Sequence, residues 1–165
     1  MLSIIIPVLN ESYNLPQLLN HLVLKATAKE QLELVIVDGG SEDNTLELAH
    51  KFKRDNLVSV HIVNSSRGRA KQMNTGAGVA TGDILYFLHA DSFPPANYDM
   101  FIQDEVLKGN LAGCFRMKFD NEHWWLRLAS YLTKFSWRAC RGGDQSQFIT
   151  RTLFDEIGGY DENYI

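Results

Sequence analysis

Cysteine and net charge are both scarce in this chain of 165 residues. The two cysteines, Cys114 and Cys140, are too few for a disulfide framework and lack the spacing of a zinc site. We therefore predict reduced, structural thiols. The formal net charge of −4 gives no general reason to expect nucleic-acid binding, so a site for an anionic ligand must be local.

Long hydrophobic runs are also missing. Residues 1–7 read Met-Leu-Ser-Ile-Ile-Ile-Pro, which has no basic segment and is too short for a signal peptide or a membrane span. No internal repeat or low-complexity linker divides the chain. We expect one domain over residues 1–165, located in the cytoplasm.

Three common motifs of α/β enzymes are absent. The first predicted strand runs into Val-Leu-Asn-Glu-Ser at residues 8–12, where a Rossmann dehydrogenase would have G-x-G-x-x-G. There is no G-x-x-x-x-G-K-[ST] phosphate loop and no G-x-S-x-G nucleophile elbow. A nicotinamide dehydrogenase, a P-loop enzyme and an α/β-hydrolase are therefore excluded.

Predicted strands alternate with predicted helices along the first half of the chain. The apolar runs predict strands over Leu2–Val8, Leu32–Val37, Val58–Val63 and Ile84–Leu88. Helical spacing between them is shown by Leu15, Leu18, Leu19, Leu22 and Val23, and by Leu46, Ala49 and Phe52. This alternation predicts an α/β fold, with a largely parallel sheet flanked by helices and a Rossmann-like N-terminal half.

The pattern changes beyond Gly113. A strand is predicted from Cys114 to Phe119, an aromatic helix from Trp124 to Arg138, and a short strand near Phe148. The segment Gly142-Gly143-Asp144-Gln145 lies between the last two. We divide the chain at this point into residues 1–112 and residues 113–165.

Acidic side chains follow two of the buried strands. Asp38 ends the second strand, and His89 and Asp91 follow the fourth. Open α/β sheets bind ligands beyond the carboxyl ends of their strands. Mg²⁺ or Mn²⁺ typically binds through one or two carboxylates together with phosphate oxygens. Asp91 is therefore the predicted metal ligand beside a nucleoside diphosphate, where a cation would stabilise a departing diphosphate.

Four segments, in register, resemble the family 2 glycosyltransferases with the GT-A fold. They are residues 3–11 (SIIIPVLNE), 37–45 (VDGGSEDNT), 76–83 (GAGVATGD) and 88–91 (LHAD), and residues 154–162 (FDEIGGYDE) extend the similarity. Within the family, the chain most resembles a small stand-alone bacterial subgroup with His in place of the first Asp of D-x-D and with a Gly-Asp-Gln segment.

The resemblance implies an inverting transfer of a sugar from a UDP- or GDP-linked donor to an acceptor hydroxyl. Residues 1–112 would bind the nucleotide sugar and residues 113–165 the acceptor. Asp91 would bind the metal, and His89 would contact ribose or ligate the metal. The other donor-binding positions carried over are Pro7, Asn10 and Glu11 in the nucleoside pocket, Asp38 as acceptor from the base, and Arg67 or Arg69 near the base or diphosphate.

Two departures from the family pattern bear on catalysis. His89 adds no negative charge where the family has an Asp, which weakens the expectation of metal dependence. The acidic motif that supplies the family's general base would follow residue 162 by several residues, whereas the sequence ends at Ile165. We therefore expect a chain truncated at its C-terminus. Asp144 is the stand-in candidate, as a contact to the acceptor or donor sugar or as the base.

Simpler interpretations stay open for these side chains. Asp38 and Asp91 could be turn-formers, residues 10–12 an ordinary helix start, and residues 142–144 a tight turn. Arg67 and Arg69 could be solvated loop charges, and His89 could be satisfied by a neighbouring carbonyl.

The aromatic helix over Trp124–Arg138 also has two interpretations. Its Trp and flanking cations suit peripheral contact with a membrane or a lipid-linked acceptor, at the inner face of the membrane, but an amphipathic helix more commonly packs on its own domain.

Two other functions compete with glycosyl transfer. One is a nucleotide-sugar-binding domain, or fragment, that lacks the general base. The other is a nucleotidyltransferase, which would need a Gly-rich basic loop after the first strand, where residues 10–12 are acidic and polar instead.

Overall fold

The computed structural model describes residues 1–115 and 146–163. Its strands are β1 (Leu2–Val8), β2 (Leu32–Asp38), β3 (Ser59–Asn64), β4 (Ile84–Phe87), β5 (Ala112–Cys114) and β6 (Gln147–Thr150). Its helices are α1 (Leu15–Lys25), α2 (Thr45–Asp55), α3 (Arg69–Val79), α4 (Tyr98–Leu107) and α5 (Arg151–Glu156), with a short 3-10 turn at Lys29–Gln31.

The described strands form one mixed sheet in the order β3-β2-β1-β4-β6-β5. The first four strands are parallel, while β6 is antiparallel to both β4 and β5. β1 lies between β2 and β4, with Val8 opposite Asp38 and Ile5 opposite Phe87. The carboxyl ends of β1, β2 and β4 therefore meet at one edge.

Both faces of β1, β2 and β4 are buried, which explains the unbroken apolar runs of these strands. On one face, Ile4 and Ile6 of β1 pack in a cluster with the apolar residues of α1 and with Tyr98 and Ile102 of α4. On the other face, Ile5 joins a cluster with residues of β2, α3, β4 and α5, namely Val35, Val37, Met73, Ala77, Leu85, Phe87 and Phe154. Successive β1 residues thus serve opposite cores.

Helix α3 lies unusually close to the sheet because Gly76 faces it. A Cβ placed on Gly76 would lie 2.5 Å from Ile5 Cγ2 and 2.9 Å from Val37 Cγ2. Arg151 of α5 holds the C-terminal end of this helix and the turn after it, since its guanidinium donates to the carbonyls of Ala77 (3.1 Å), Ala80 (2.6 Å) and Gly82 (2.9 Å). A cation at a helix C-terminus is favourable for the helix dipole.

The predicted elements of the first half are confirmed to within one residue at most of their ends. β1 has the predicted bounds, β2 extends by one residue to Asp38, and β3 is shifted by one. The strand predicted from Cys114 to Phe119 is wrong at its start, because β5 ends at Cys114; residues 116–119 lie outside the described ranges. Within residues 1–115 and 146–163, no helix has the length and apolar character needed to cross a membrane.

Candidate active site

The loops after β1, β2 and β4 emerge side by side at the carboxyl edge of the sheet. The first two loops are joined by hydrogen bonds. Asn10 N donates to Ser41 Oγ (2.9 Å), Glu42 N donates to Asn10 Oδ1 (2.8 Å), and Glu11 N donates to Thr45 Oγ1 (2.8 Å). Asn10 has φ +56°, a left-handed conformation that Asn adopts more readily than most residues. The two loops therefore form one polar platform.

Asp43 secures this platform from the β2 side. Its carboxylate accepts the Ser12 amide (3.1 Å), the Thr45 amide (3.0 Å) and the Thr45 hydroxyl. The Thr45 hydroxyl is the largest influence on the Asp43 carboxyl, and together these donors lower its pKa to about 2. Asp43 is therefore ionised at neutral pH. Asp43 supplies the side-chain hydrogen bonds at the start of α2, since Asn44 makes no side-chain cap hydrogen bond.

Asp38 is buried at the end of β2, with 2% of its surface exposed. Its carboxylate accepts the amides of Gly40 (3.0 Å) and Ser41 (3.0 Å) and the hydroxyl of Ser41. The turn-forming interpretation is thus correct for Asp38. A carboxylate has about four acceptor positions, so these three donors leave room for one more. The predicted contact with a nucleobase stays a prediction.

Gln72 of α3 is a site-supporting residue that the sequence analysis missed. Its Nε2 donates to the carbonyls of Val8 and Val37, each at 2.9 Å, and so joins the ends of β1 and β2 from beneath. Gly39 packs directly on it, because a Cβ there would lie 3.0 Å from Gln72 Nε2. The available signal was a polar residue in the otherwise apolar stripe that α3 presents to the sheet.

The segment after β4 places Asp91 in solvent at this edge. Leu88 N donates to the carbonyl of Ile5 (3.0 Å), which extends the pairing of β4 with β1 by one residue. His89 is 9% exposed, and its carbonyl accepts Ser92 N (3.1 Å). Asp91 is exposed and accepts the Ser92 hydroxyl at 3.4 Å.

A divalent cation fits this arrangement only if groups other than the protein complete its coordination. No group of three or more His, Cys, Asp or Glu side chains converges on a common point within the described part of the chain. A single solvent-facing carboxylate suits Mg²⁺ or Mn²⁺ held jointly by the protein, phosphate oxygens and water. Asp91 meets that requirement, and His89 lies two residues before it.

A histidine of α1 holds the loop that follows Asp91. The His21 ring Nε2 lies 2.7 Å from the carbonyl oxygen of Pro94, so it donates a hydrogen bond to it. The same ring meets the edge of Phe93 at a centroid distance of 5.3 Å. The exit path of the Asp91 segment is therefore fixed against α1.

The remaining donor-binding predictions are distributed around this edge. Pro7 is half-buried in β1 opposite Val37. Glu11 begins the turn that leads into α1, since its carbonyl accepts Leu15 N (2.9 Å) and its carboxylate accepts Asn14 Nδ2 (2.9 Å), which agrees with the helix-start interpretation. A nucleoside contact of Glu11 stays a prediction.

The two arginines lie beyond the outer strand of the parallel group. Arg67 is exposed in the loop after β3, and Arg69 is exposed at the first turn of α3. Gln72, one turn after Arg69, contacts the ends of β1 and β2. This position favours the Asp38 side of the site over the Asp91 side for Arg69.

Two predicted features lie outside the described residues, namely Asp144 and the Trp124–Arg138 helix. A separate cavity of about 280 Å³ lies on the antiparallel side of the sheet, between β5, β6 and α5. Phe148, Ile149, Phe154, Ile157 and Tyr160 are among its lining residues. It is therefore distinct from the strand-end loops.

Architecture and site together define a nucleotide-diphospho-sugar transferase fold of the GT-A class, α/β with a mostly parallel sheet. A mannosyltransferase from Pyrobaculum calidifontis, solved in complex with GDP-Man and Mn²⁺, has this fold. It superposes with a TM-score of 0.77 at 20% identity, over 98% of this chain and 48% of that protein. The sequence profile of glycosyl transferase family 2 matches residues 3–160, and the chain belongs to that family.

Two curated relatives agree with this assignment. A PGL/p-HBAD biosynthesis glycosyltransferase of Mycobacterium bovis is 33% identical over 171 residues, covering 99% of this chain and 64% of the relative. An undecaprenyl-phosphate 4-deoxy-4-formamido-L-arabinose transferase of Proteus mirabilis is 31% identical over 132 residues, covering 78% of this chain and 40% of the relative. The chain thus spans less than two thirds of the length of either. The predicted family, glycosyl transferase family 2, is confirmed.

Proposed function

We propose that this chain carries the donor site of an inverting glycosyltransferase that uses a UDP- or GDP-sugar and a divalent cation. The observation that carries the proposal is the platform formed by the loops after β1 and β2 beside the exposed carboxylate of Asp91. The platform supplies buried acceptors and backbone groups for a nucleoside. Asp91 supplies a solvent-exposed carboxylate for a cation. A nucleoside diphosphate has both requirements.

The nucleoside would lie against the platform. Asp38 is already held in one orientation by its own loop, so little further conformational entropy is lost when a base N–H donates to it. Asn10 and Glu11 hold the first loop of this platform against the second through their bonds to Ser41 and Thr45. Arg69, which lies one turn before Gln72, would be the arginine that approaches the base.

The diphosphate would lie toward β4. A bound Mn²⁺ or Mg²⁺ would neutralise the charge that develops on the departing diphosphate. The residues of this chain that would hold it are Asp91 and, through its imidazole, His89. The mannosyltransferase of the same fold was solved with GDP-Man and Mn²⁺, which supports a nucleotide-sugar donor together with a divalent cation.

The reaction would proceed by a single displacement at the anomeric carbon. The acceptor hydroxyl oxygen attacks that carbon, the bond from carbon to diphosphate oxygen breaks, and the diphosphate leaves with the bonding electrons. A carboxylate within about 3 Å of the hydroxyl takes its proton. Asp144 is our candidate for that role or for a sugar contact. The undecaprenyl-phosphate transferase relative favours a lipid-linked acceptor.

Isothermal calorimetry with UDP, GDP and their sugars, with and without Mn²⁺, tests the donor site. We expect one nucleotide to bind more tightly with Mn²⁺, and Asp91→Asn to abolish that gain because the carboxylate that shares the cation is lost. Asp104→Asn is the matched control, since Asp104 is an exposed carboxylate on α4. Equal metal dependence in the wild-type chain and in Asp91→Asn would contradict the assignment.

Turnover is a separate measurement. Release of nucleoside diphosphate in the presence of lipid-linked acceptors would separate an enzyme from a binding domain that lacks its base. A chain that binds donor with metal and releases no diphosphate with any acceptor would favour the binding-domain alternative. If turnover is seen, Asp144→Asn should lower kcat and leave nucleotide affinity unchanged.

A further inference from the structure

Asn74 joins two parts of the molecule that are 86 residues apart. Its Nδ2 donates to the carbonyl of Tyr160 (2.9 Å) and to the carboxylate of Glu162 (2.9 Å), and its Oδ1 accepts the Tyr160 amide (2.9 Å). One side chain of α3 therefore satisfies both backbone polar groups of Tyr160, as a neighbouring strand would. Sequence analysis did not single out this residue.

The backbone around Tyr160 is shaped for this contact. Gly158 and Gly159 have φ of +80° and +75°, which side-chain-bearing residues rarely adopt. A Cβ on Gly159 would lie 2.9 Å from Asn74 Oδ1 and 3.3 Å from the ring of Phe154. Two consecutive left-handed glycines thus deliver residues 160–162 onto α3 at a distance that only glycine permits.

Tyr160 in turn packs on the end of β4. Its ring meets Phe87 edge-on at a centroid distance of 5.0 Å and lies 5.8 Å from Phe154. Burial raises the pKa of the Tyr160 phenol to about 12, as expected for a ring enclosed by this cluster. Phe87 is the last residue of β4, four residues before Asp91.

We propose that Asn74 is a positioning residue for the Asp91 segment, acting through Tyr160 and Phe87. This inference rests on the proposed function, because it assigns Asn74 to the cation side of the donor site. If Tyr160 moves away, Phe87 loses one wall of its packing, and the path of residues 88–91 is less firmly fixed. The nucleoside platform depends on other contacts, from Asn10, Ser41, Asp43 and Gln72.

The inference predicts a split between two binding measurements. Asn74→Ala should leave the affinity for the metal-free nucleotide unchanged. The additional affinity given by Mn²⁺ should fall about tenfold, the low end of the loss when a group supporting a metal ligand is removed. Asn20→Ala, an exposed asparagine on α1, is the control and should change neither value. A general loss of folding would weaken both measurements together.

Hydrogen exchange reports the contact without any ligand. The Tyr160 amide should exchange at least about tenfold faster in Asn74→Ala than in the wild-type chain, because its acceptor is gone. Asn74→Asp keeps the Oδ1 acceptor and the side-chain volume, so that amide should stay protected. The new carboxylate faces Glu162 and the Tyr160 carbonyl, so Asn74→Asp should lose part of the Mn²⁺-dependent affinity that Asn74→Ala loses. Adding Glu162→Gln, which restores a donor–acceptor pair with roles reversed, should recover part of it.

The outcomes separate the two proposals. A wild-type chain that gains affinity from Mn²⁺, with the same gain in Asn74→Ala and Asn74→Asp, would overturn the role of Asn74 and leave the proposed function standing. Protection of the Tyr160 amide in Asn74→Ala would overturn it as well. A wild-type chain that binds no nucleotide under any condition would overturn the proposed function and this inference with it.

Discussion

Single polar side chains hold the strand ends of this protein in place. Gln72 is the clearest case, because the residue is only 5% exposed and its side-chain amide donates to two strands at once. A buried carbonyl that loses its donor costs more than the hydrogen bond contributed, since the group remains out of water. The platform is therefore sensitive to this one residue.

Gln72→Met should lower the free energy of unfolding by about 1–3 kcal/mol, because the Val37 and Val8 carbonyls lose a buried donor. It should also weaken metal-free nucleotide binding, since the joint between β1 and β2 lies beneath the platform. Urea unfolding and calorimetry measure the two effects.

Gln17→Met provides the comparison at the residue scale. Gln17 is an exposed glutamine on α1 whose Nε2 donates only to the carbonyl of Tyr13 (2.9 Å) among its described contacts. Surface substitutions of this kind are usually within about 0.5 kcal/mol of neutral. A Gln72→Met chain as stable as Gln17→Met would show that Gln72 is dispensable.

At the scale of elements, the packing of α3 on the sheet sets the distance between this helix and the strand ends that carry the site. This helix carries Gln72, so its distance from β1 and β2 determines whether the Gln72 side chain reaches the Val8 and Val37 carbonyls. Gly76, one turn further along, is the point of closest approach, whereas Gly78 on the same helix has no atom of residues 1–115 or 146–163 within 4 Å of its Cβ position, apart from the helix itself. A side chain is therefore sterically excluded at Gly76 and has room at Gly78.

Gly76→Ala should destabilise the protein by about 1–3 kcal/mol, because the added methyl meets Ile5 and Val37 in a packed core. Gly78→Ala should instead be neutral or stabilising by up to about 1 kcal/mol, through helix propensity alone. Chemical denaturation of the pair measures the difference. Equal effects at the two positions would mean that α3 can shift outward without cost.

At the scale of the whole molecule, a second polar cluster joins the opposite edge of the sheet. Glu33 of β2 has a side chain only 2% exposed, and it accepts the Ser3 hydroxyl, the Thr81 amide (2.8 Å) and the Thr81 hydroxyl (2.9 Å). His61 Nε2 of β3 lies 3.3 Å from it. Three neighbouring strands and the turn before β4 thus share one carboxylate.

The pH dependence of unfolding should report this cluster. Burial pushes the pKa of the Glu33 carboxyl upward, but the donors from Ser3 and Thr81, with His61, outweigh it and hold the pKa below its ordinary 4.5. The ionised form therefore stabilises the fold above about pH 4.5, and the contribution is lost as pH falls through the folded pKa. Urea unfolding between pH 7 and 3 should show a shallower acid decline in Glu33→Gln than in the wild-type chain.

Glu47→Gln, at an exposed position on α2, controls for the loss of a carboxylate as such. It should keep the acid decline of the wild-type chain. Parallel curves for the wild-type chain and Glu33→Gln would mean that Glu33 titrates alike in the folded and unfolded states.

Local sequence determined the elements and the residues at their ends. The strands buried on both faces read as continuous apolar runs, and the polar residues after them mark where β2 and β4 emerge, so Asp38 and Asp91 could be found without coordinates. The order and spacing of these segments also indicated the family. The second half of the chain was read less well, because β5 is short and its pairing with β6 is a nonlocal contact.

Only the tertiary structure decided which side chains support the site. Gln72 and Asn74 are polar residues within a helix, and nothing in their neighbours along the chain indicates partners 35, 64 and 86 residues away. The joining of the first two loops through Ser41, Asp43 and Thr45 was likewise invisible, since it depends on β1 and β2 being adjacent and in register. Periodicity along the chain specifies which face of an element is buried, whereas hydrogen bonds between elements depend on the distances that packing sets.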